Sequence, residues 1–151
     1  MHGGGVFAVE NIDEGEMLVR WGGQVYTTKQ LEDGETNDQT ACQIDEELHI
    51  ASPAGTPLID ADLMNHSCDP NTWMADEVTI VARRPISVGE EVTADYAEWV
   101  AYPDYETIKD CKCGSLLCRH LVTGNDWRLP VLQERYKGHW PPYLAKRIER
   151  I

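Results

Sequence analysis

The chain has 151 residues, 42% of them hydrophobic and 26% charged, with a net charge of -13. That size and composition fit one soluble globular domain able to close a core without metal or disulfides. No apolar run approaches the roughly 18 residues that span a bilayer, which argues against a membrane protein, and the acidic balance disfavours direct nucleic-acid binding.

The opening "MHGGGVFAVENIDEGE" has no basic segment followed by an apolar run, so it does not read as a secretory signal. Position 2 is not glycine, which removes the myristoylation signal. A cytoplasmic protein is the simplest expectation. The charge is unevenly spread: residues 119–151 hold seven basic and three acidic side chains, net +4, and residues 1–118 hold six against 23, net -17. An acidic body steers basic partners toward it, or simply keeps the protein soluble.

The first half reads as short strands broken by turns. "GVFAVENI" and "EMLVRWGGQVYT" are β-rich, with "DEG" as the turn between them. One helical turn is expected around Thr28–Leu31, followed by the acidic loop "LEDGETNDQ". "TACQIDEELHI" reads as strand, turn and strand, and "NTWMADEVTIVARRPISVGEEVTADY" as three more strands. Near residue 100 the character changes. Asp126 can cap a helix and Gly138 can end it, and Pro141 and Pro142 can open a last helix with Leu144 and Ile148 on one face. The fold class is therefore mainly β with a short helical C-terminal extension.

Five cysteines in an apparently cytoplasmic chain argue against a disulfide framework. "CKCGSLLC" places Cys111, Cys113 and Cys118 within eight residues, and Gly114 can supply the turn that brings them to one ion. Three thiolates leave a tetrahedral zinc site one ligand short. Cys68, inside the turn-rich "NHSCDPN", is the candidate for the fourth. The alternative is a redox pair or unligated thiols. Cys42, in the strand-like "TACQI", reads as a small buried apolar residue. A closed four-sulfur site is structural and pins the segment after residue 110 against the segment around residue 68.

"NHSCDPN", then "GEEVTADY", then "CKCGSLLC", together with "GGGVFA" and "DEGE" near the start, resemble the SET-domain protein-lysine methyltransferases with a post-SET zinc motif. The resemblance covers residues 3–118. It implies a β-clip fold of several small curved sheets, with a knot-like crossing of "NHSCDPN" and the segment that carries "DY". It also implies a layout of SET domain (1–100), post-SET zinc-binding segment (101–124) and helical extension (125–151). The implied cosubstrate is S-adenosyl-L-methionine, the implied structural metal is zinc on Cys68, Cys111, Cys113 and Cys118, and the implied substrate is a lysine side chain of a protein.

Residue roles follow from the same resemblance. Gly3, Gly4, Gly5 and Val6 would form the glycine turn that brings backbone groups to the cosubstrate, unless they are a plain turn. A dinucleotide fingerprint is excluded because strand-like residues, not a helix, follow it. The Asn65 side chain and the His66 backbone would contact the cosubstrate, with His66 bonding across the crossing rather than acting as a base. Tyr96 would be the catalytic tyrosine, also in contact with the cosubstrate. Trp21 would line the pocket or pack the core; Trp99, Leu116 and Leu117 would cover the adenine or pack. Asp95 reads as a local cap, and Glu90 and Glu91 as solvated turn residues.

The sequence departs from the family pattern in three places. The glycine turn begins at residue 3, without the strand that usually precedes it. Asp62 and Leu63 stand where many members have Arg-Phe, and Thr40 or Ala41 stands where many have a channel tyrosine. Tyr26, Tyr102 and Tyr105 are candidates to compensate. The extension resembles that of small prokaryotic members, and its aromatics, Trp127, Tyr136, Trp140 and Tyr143, suit packing on the body, a lid, or a homodimer contact. The acidic body suggests a basic partner, such as a histone-like or ribosomal tail.

Overall fold

The computed structural model describes residues 4–102 and 106–151; Gly3 and Tyr105 lie outside the described residues. The elements run β1 (Val6–Phe7), β2 (Met17–Arg20), β3 (Gln24–Thr27), α1 (Thr28–Glu32), β4 (Cys42–Asp45), β5 (Leu48–Ala51), β6 (Asn65–His66), β7 (Thr72–Met74), β8 (Thr79–Ala82), β9 (Glu91–Ala94), β10 (Glu106–Ile108), β11 (Val122–Thr123), α2 (Pro130–Arg135) and α3 (Pro142–Ile148). The strands form four small sheets, ordered β1-β9-β6, β2-β8-β7, β3-β5-β4 and β10-β11. This is the mainly β architecture expected from the short runs and frequent turns.

Strands of two to four residues cannot hold a sheet by themselves. The three sheets β1-β9-β6, β2-β8-β7 and β3-β5-β4 share one core instead, in which Met74, Ile80, Ala82, Ile86, Val92, Ala94 and Trp99 pack together, whereas β10-β11 packs through Ile108 and Val122 on the cysteine cluster. α1 forms where one turn was expected, because Thr27 and Gln30 close a capping box. The Thr27 amide donates to Gln30 Oε1 (3.0 Å) and the Gln30 amide to Thr27 Oγ1 (3.3 Å).

β6 pairs with β9 in parallel, Asn65 with Thr93 and His66 with Ala94. So short a parallel pair needs reinforcement, and Asn71 at the end of "NHSCDPN", with Thr72 after it, supplies it. Asn71 Nδ2 donates to Glu91 O (2.8 Å), Asn71 Oδ1 accepts from the Thr93 amide (2.9 Å), and Thr72 Oγ1 donates to Thr93 O (2.8 Å). Residues 65–72 thus clasp β9, the strand that leads into Asp95 and Tyr96.

The C-terminal helices differ from expectation at their start. α2 begins at Pro130, whose fixed φ and missing N–H suit a first helical position. Asp126 is not its cap: its carboxylate is taken by Thr123 and Arg119. Nor does Gly138 end it: α2 stops at Arg135 with Tyr136 as its C-cap, and Gly138, at φ +84°, lies in the turn that follows. Trp127, Tyr136, Trp140 and Tyr143 are all buried, packed with Leu132 and Leu144 against Ala97 and Ala101 of the body. The aromatics expected to form a lid, a dimer face or a docked surface are therefore spent on docking. No helix among the described residues is long and apolar enough to cross a membrane.

Candidate active site and metal centre

A cleft of about 580 Å³ opens beside the β6–β9 clasp. Gly4, Trp21, Asn65 and Tyr96, four of the residues expected to meet the cosubstrate, lie on its wall, and Trp99 joins them. Gly5 and Val6 sit directly behind. Val6 pairs with Val92, and a Cβ on Gly5 would come within 2.6 Å of Glu91 Oε1 and 3.0 Å of Asn65 Nδ2, so a side chain here would have to displace the ends of both. Asn65 Nδ2 donates to Gly4 O (2.9 Å) and to Glu91 Oε1 (2.7 Å), which ties the glycine turn to the clasp. At Gly4 a Cβ would meet nothing within 4 Å, leaving room for a ligand against the backbone.

The Tyr96 hydroxyl donates to Met64 O (2.8 Å). Burial raises its pKa, so it is a neutral phenol. Its ring lies at the edge of the His66 ring (centroids 5.3 Å) and against Trp99 (5.5 Å). Trp99 in turn meets Trp21 edge-to-face (5.0 Å), so both indoles line the cleft and pack the core at once. The Tyr96 amide donates to His66 Nδ1 (3.3 Å), which leaves the ring proton on Nε2, 3.2 Å from Cys68 Sγ. Desolvation pushes the His66 pKa down to about 4, against the pull of Asp95. The imidazole is thus a neutral bridge between Tyr96 and Cys68, consistent with a hydrogen-bonding role.

Asp95 does far more than cap locally. It is 0% exposed. Arg119 grips it with two parallel bonds, Nη1 to Oδ2 (2.6 Å) and Nη2 to Oδ1 (2.7 Å). Tyr136 Oη donates to Oδ2 (2.9 Å) and the Ala97 amide to Oδ1 (3.0 Å). Arg119 Nε also reaches Asp126 Oδ2 (2.8 Å). Pairs so distant in sequence leave no local pattern; the one available signal was an arginine placed directly after the last clustered cysteine.

Glu90 and Glu91 are not free turn residues either. Glu90 pairs with Arg84 (2.5 Å) and accepts from Asn71 and Ser87. The Arg84 bond, with those two, lowers its pKa to about 2 despite partial burial. Glu98, unremarked in the sequence, is fully buried, with Oε1 accepting from the Met74 amide (3.0 Å). Desolvation holds its carboxyl well above the ordinary range.

The positions at which the sequence departs from the family pattern are on the cleft wall: Thr40, Ala41, Asp62 and Leu63 all line it. Of the tyrosines that could compensate, Tyr102 lines the cleft and donates to Glu32 (2.8 Å), whereas Tyr26 is buried elsewhere and bonds Gln24. Leu116 is fully exposed and is not part of the wall, and Leu117 is half-exposed. Both sit on the loop between Gly114 and Cys118, outside the cleft wall.

The sulfur atoms of Cys68, Cys111, Cys113 and Cys118 lie within 4.8 Å of one another. Tetrahedral zinc with Zn–S bonds of about 2.3 Å needs sulfurs roughly 3.8 Å apart, and Cys68 and Cys111 are at 4.0 Å. Gly114 (φ +76°) turns the chain between Cys113 and Cys118, and His120 (φ +63°) turns it back, so that the Cys111 amide donates to His120 O (2.6 Å). The donor set fits zinc. Burial raises the Cys111 thiol to about 11; for Cys113 the amides of Cys68 and Ser115 and the neighbouring thiols outweigh burial and lower it to about 7. Cys68 and Cys111 are buried and Cys113 and Cys118 half-buried; with all four ionised, thiolates this close would repel one another without a cation between them. Cys42 stands apart, buried in the core as expected, with its thiol pushed up by desolvation.

The chain matches the SET-domain family over residues 3–97, from the glycine turn to just past Tyr96. Histone-lysine N-methyltransferase ASHH3 of Arabidopsis thaliana is 34% identical over 133 residues, 78% of this chain and 34% of that protein. Histone-lysine N-methyltransferase 2B of Homo sapiens is 31% identical over 136 residues, 81% of this chain and 5% of that protein. The chain thus spans about a third or less of the length of these relatives. Among solved structures, KRYPTONITE in complex with mCHG DNA and SAH superposes over 78% of this chain and 26% of that one, with TM-score 0.58 and 27% identity. Arabidopsis thaliana SUVH6 in complex with SAM, at 19% identity and TM-score 0.62, shares the fold. The chain belongs to the SET-domain family.

Proposed function

We propose that this protein is a protein-lysine N-methyltransferase that uses S-adenosylmethionine as cosubstrate and holds a structural zinc ion on Cys68, Cys111, Cys113 and Cys118. The observation that carries the reading is a neutral Tyr96 hydroxyl on the cleft wall, next to the Gly4–Asn65 pair, in a chain of the SET-domain family. Its layout follows as a SET domain to about residue 100, a zinc-binding segment to 124 and a helical extension.

S-adenosylmethionine supplies an electrophilic methyl on a sulfonium. The backbone of Gly4 and Gly5, the Asn65 side chain, the His66 backbone and Trp21 would hold it. The chain's task is to present a neutral amine in line. A free lysine has a pKa of ~10.4; a cleft walled by Trp21, Trp99, Ala41 and Leu63 lowers it by desolvation. Because the Tyr96 proton is committed to Met64 O, the phenol oxygen is left as an acceptor for an amine N–H. It thereby turns the nitrogen lone pair toward the methyl. The nitrogen takes the methyl, the sulfonium becomes a thioether, and the product ammonium gives its proton to solvent. Alignment of this kind contributes several kcal/mol.

A basic protein or peptide is the substrate class, supported by the -17 charge of residues 1–118 and by the carboxylates of Glu32, Asp38 and Asp62 on the cleft wall. A homodimer through the extension would have to use its exposed face, since its aromatics are buried within the chain. A reducing, cytoplasmic setting suits five cysteines with no disulfide among them. The test is incubation of zinc-replete protein with S-adenosylmethionine and a panel of basic proteins, read by mass spectrometry. Methyl-lysine is the expected product. Cosubstrate binding without methyl-lysine on any of them would overturn the reading in favour of a peptide-binding module, which the small residues at Thr40 and Ala41 would suit.

A further inference from the structure

The residue that aims Tyr96 is Asp95. It caps the 3-10 turn Tyr96–Glu98 through the Ala97 amide, so its carboxylate orientation fixes where the turn begins and where the Tyr96 ring leaves the backbone. Of the donors that fix the carboxylate, Tyr136 comes from the C-terminal extension, beyond the 3–97 span that matches the family. Tyr136 is 0% exposed, and Asp95 raises its pKa further after desolvation does, so the hydroxyl keeps its proton as a donor. The neighbouring Arg135 donates through Nη1 to Cys68 O, and His139 stacks on Trp73 with centroids 3.5 Å apart. One short segment of the extension therefore touches the capping carboxylate, the peptide of Cys68 and the β7 strand together.

We infer that Tyr136 is a positioning residue for Tyr96: its hydroxyl, acting through Asp95, holds the turn that presents the Tyr96 phenol to the cleft. A carboxylate with a bidentate arginine is already well bonded, so Tyr136 is not needed to neutralise it. The phenol instead bonds the same oxygen as Arg119 Nη1 from a different direction, which restricts rotation of the carboxylate about its own axis. The inference rests on the methyltransferase reading for its kinetic consequence but not for its structural one.

The same cluster contains a built-in control. Tyr143 is also buried there, yet its hydroxyl has no hydrogen-bond partner among the described residues. Tyr136→Phe and Tyr143→Phe thus remove the same atom from the same cluster, and only one of them touches Asp95. The experiment compares both with wild type in two readouts: steady-state methyl transfer, and fluorine NMR of protein carrying 3-fluorotyrosine, with the Tyr96 resonance identified by its loss in Tyr96→Phe. Tyr136→Phe is expected to lower kcat about tenfold, within the range that small misplacements cost, with KM for the cosubstrate and zinc content unchanged, and to shift or broaden the Tyr96 resonance. Tyr143→Phe should leave both readouts at wild type. Equal effects of the two substitutions, or an unmoved Tyr96 resonance in folded Tyr136→Phe, would overturn the positioning role. Inactive wild-type protein would defeat the methyltransferase reading alone, and the resonance would still decide this one.

Discussion

In the proposed reaction one atom, the Tyr96 hydroxyl oxygen, would orient the amine. Tyr96→Phe removes the acceptor for the amine and the bond to Met64 O but keeps the ring between His66 and Trp99. Methyl transfer is expected to fall about 100-fold or more, the range for loss of one positioned polar group, with the melting temperature within a few degrees of wild type. The glycine turn offers a second contrast. Gly5→Ala pushes the ends of the Glu91 and Asn65 side chains aside and is expected to cost about 0.5–1.5 kcal/mol, the worth of the hydrogen bond between them. Gly4→Ala meets open space and should leave the free protein's stability within about 0.5 kcal/mol of wild type. Denaturant melts of the two variants check this. A Gly4→Ala protein as unstable as Gly5→Ala would contradict the described approach.

Among the elements, the turn between β8 and β9 carries a pH dependence. Glu90 is held on Arg84, Asn71 and Ser87, and its pKa of about 2 lies below the ordinary glutamate value of ~4.3. A carboxyl depressed on folding adds stability that is complete above the unfolded value and is lost as pH falls from about 4.3 toward about 2. Glu90→Gln should therefore flatten the acid limb of stability in that window; urea melts at several pH values measure the difference. This residue also shows where the sequence stops being legible. The turn at "SVGE" was readable because Gly89 and its neighbours are turn formers, but the partners of Glu90 are set by the approach of Arg84 and Asn71, which no local pattern records. The same holds for Asp95 and Arg119, 24 positions apart and matched only by the folded backbone. By contrast the strand-and-turn succession of β2 to β5 and β7 to β9 and the four-cysteine cluster were readable, since turn chemistry and ligand spacing are local, whereas β6, β10 and β11 are two or three residues long and exist only through their distant partners. The start of α2 was misplaced because Asp126 has cap chemistry but spends it on Thr123 and Arg119.

For the whole molecule, three packed regions meet at the segment Asp95–Ala101: the sheet core, the cysteine cluster and the extension. Arg119, whose amide donates to Cys68 Sγ (3.3 Å), joins the metal centre to Asp95 and so to Tyr96. The protein is expected to contain about one zinc per chain by elemental analysis. Chelation should lower both its melting temperature and its methyl transfer, because metal binding to such a site is part of the folding free energy. Cys111→Ser should act like chelation, whereas Cys42→Ser should leave zinc content intact, its site lying in the sheet core. The acidic body has its own signature: KM for a basic peptide should rise with ionic strength as surface attraction is screened.

The measurement that bears most directly on the central claim is single-turnover transfer of a labelled methyl from S-adenosylmethionine to a basic protein, comparing zinc-replete wild type with Tyr96→Phe at matched cosubstrate occupancy. Label on lysine with wild type, and a rate about 100-fold lower with the variant, is the expected result. Equal rates in two folded, cosubstrate-bound proteins would contradict it and remove Tyr96 from the chemistry.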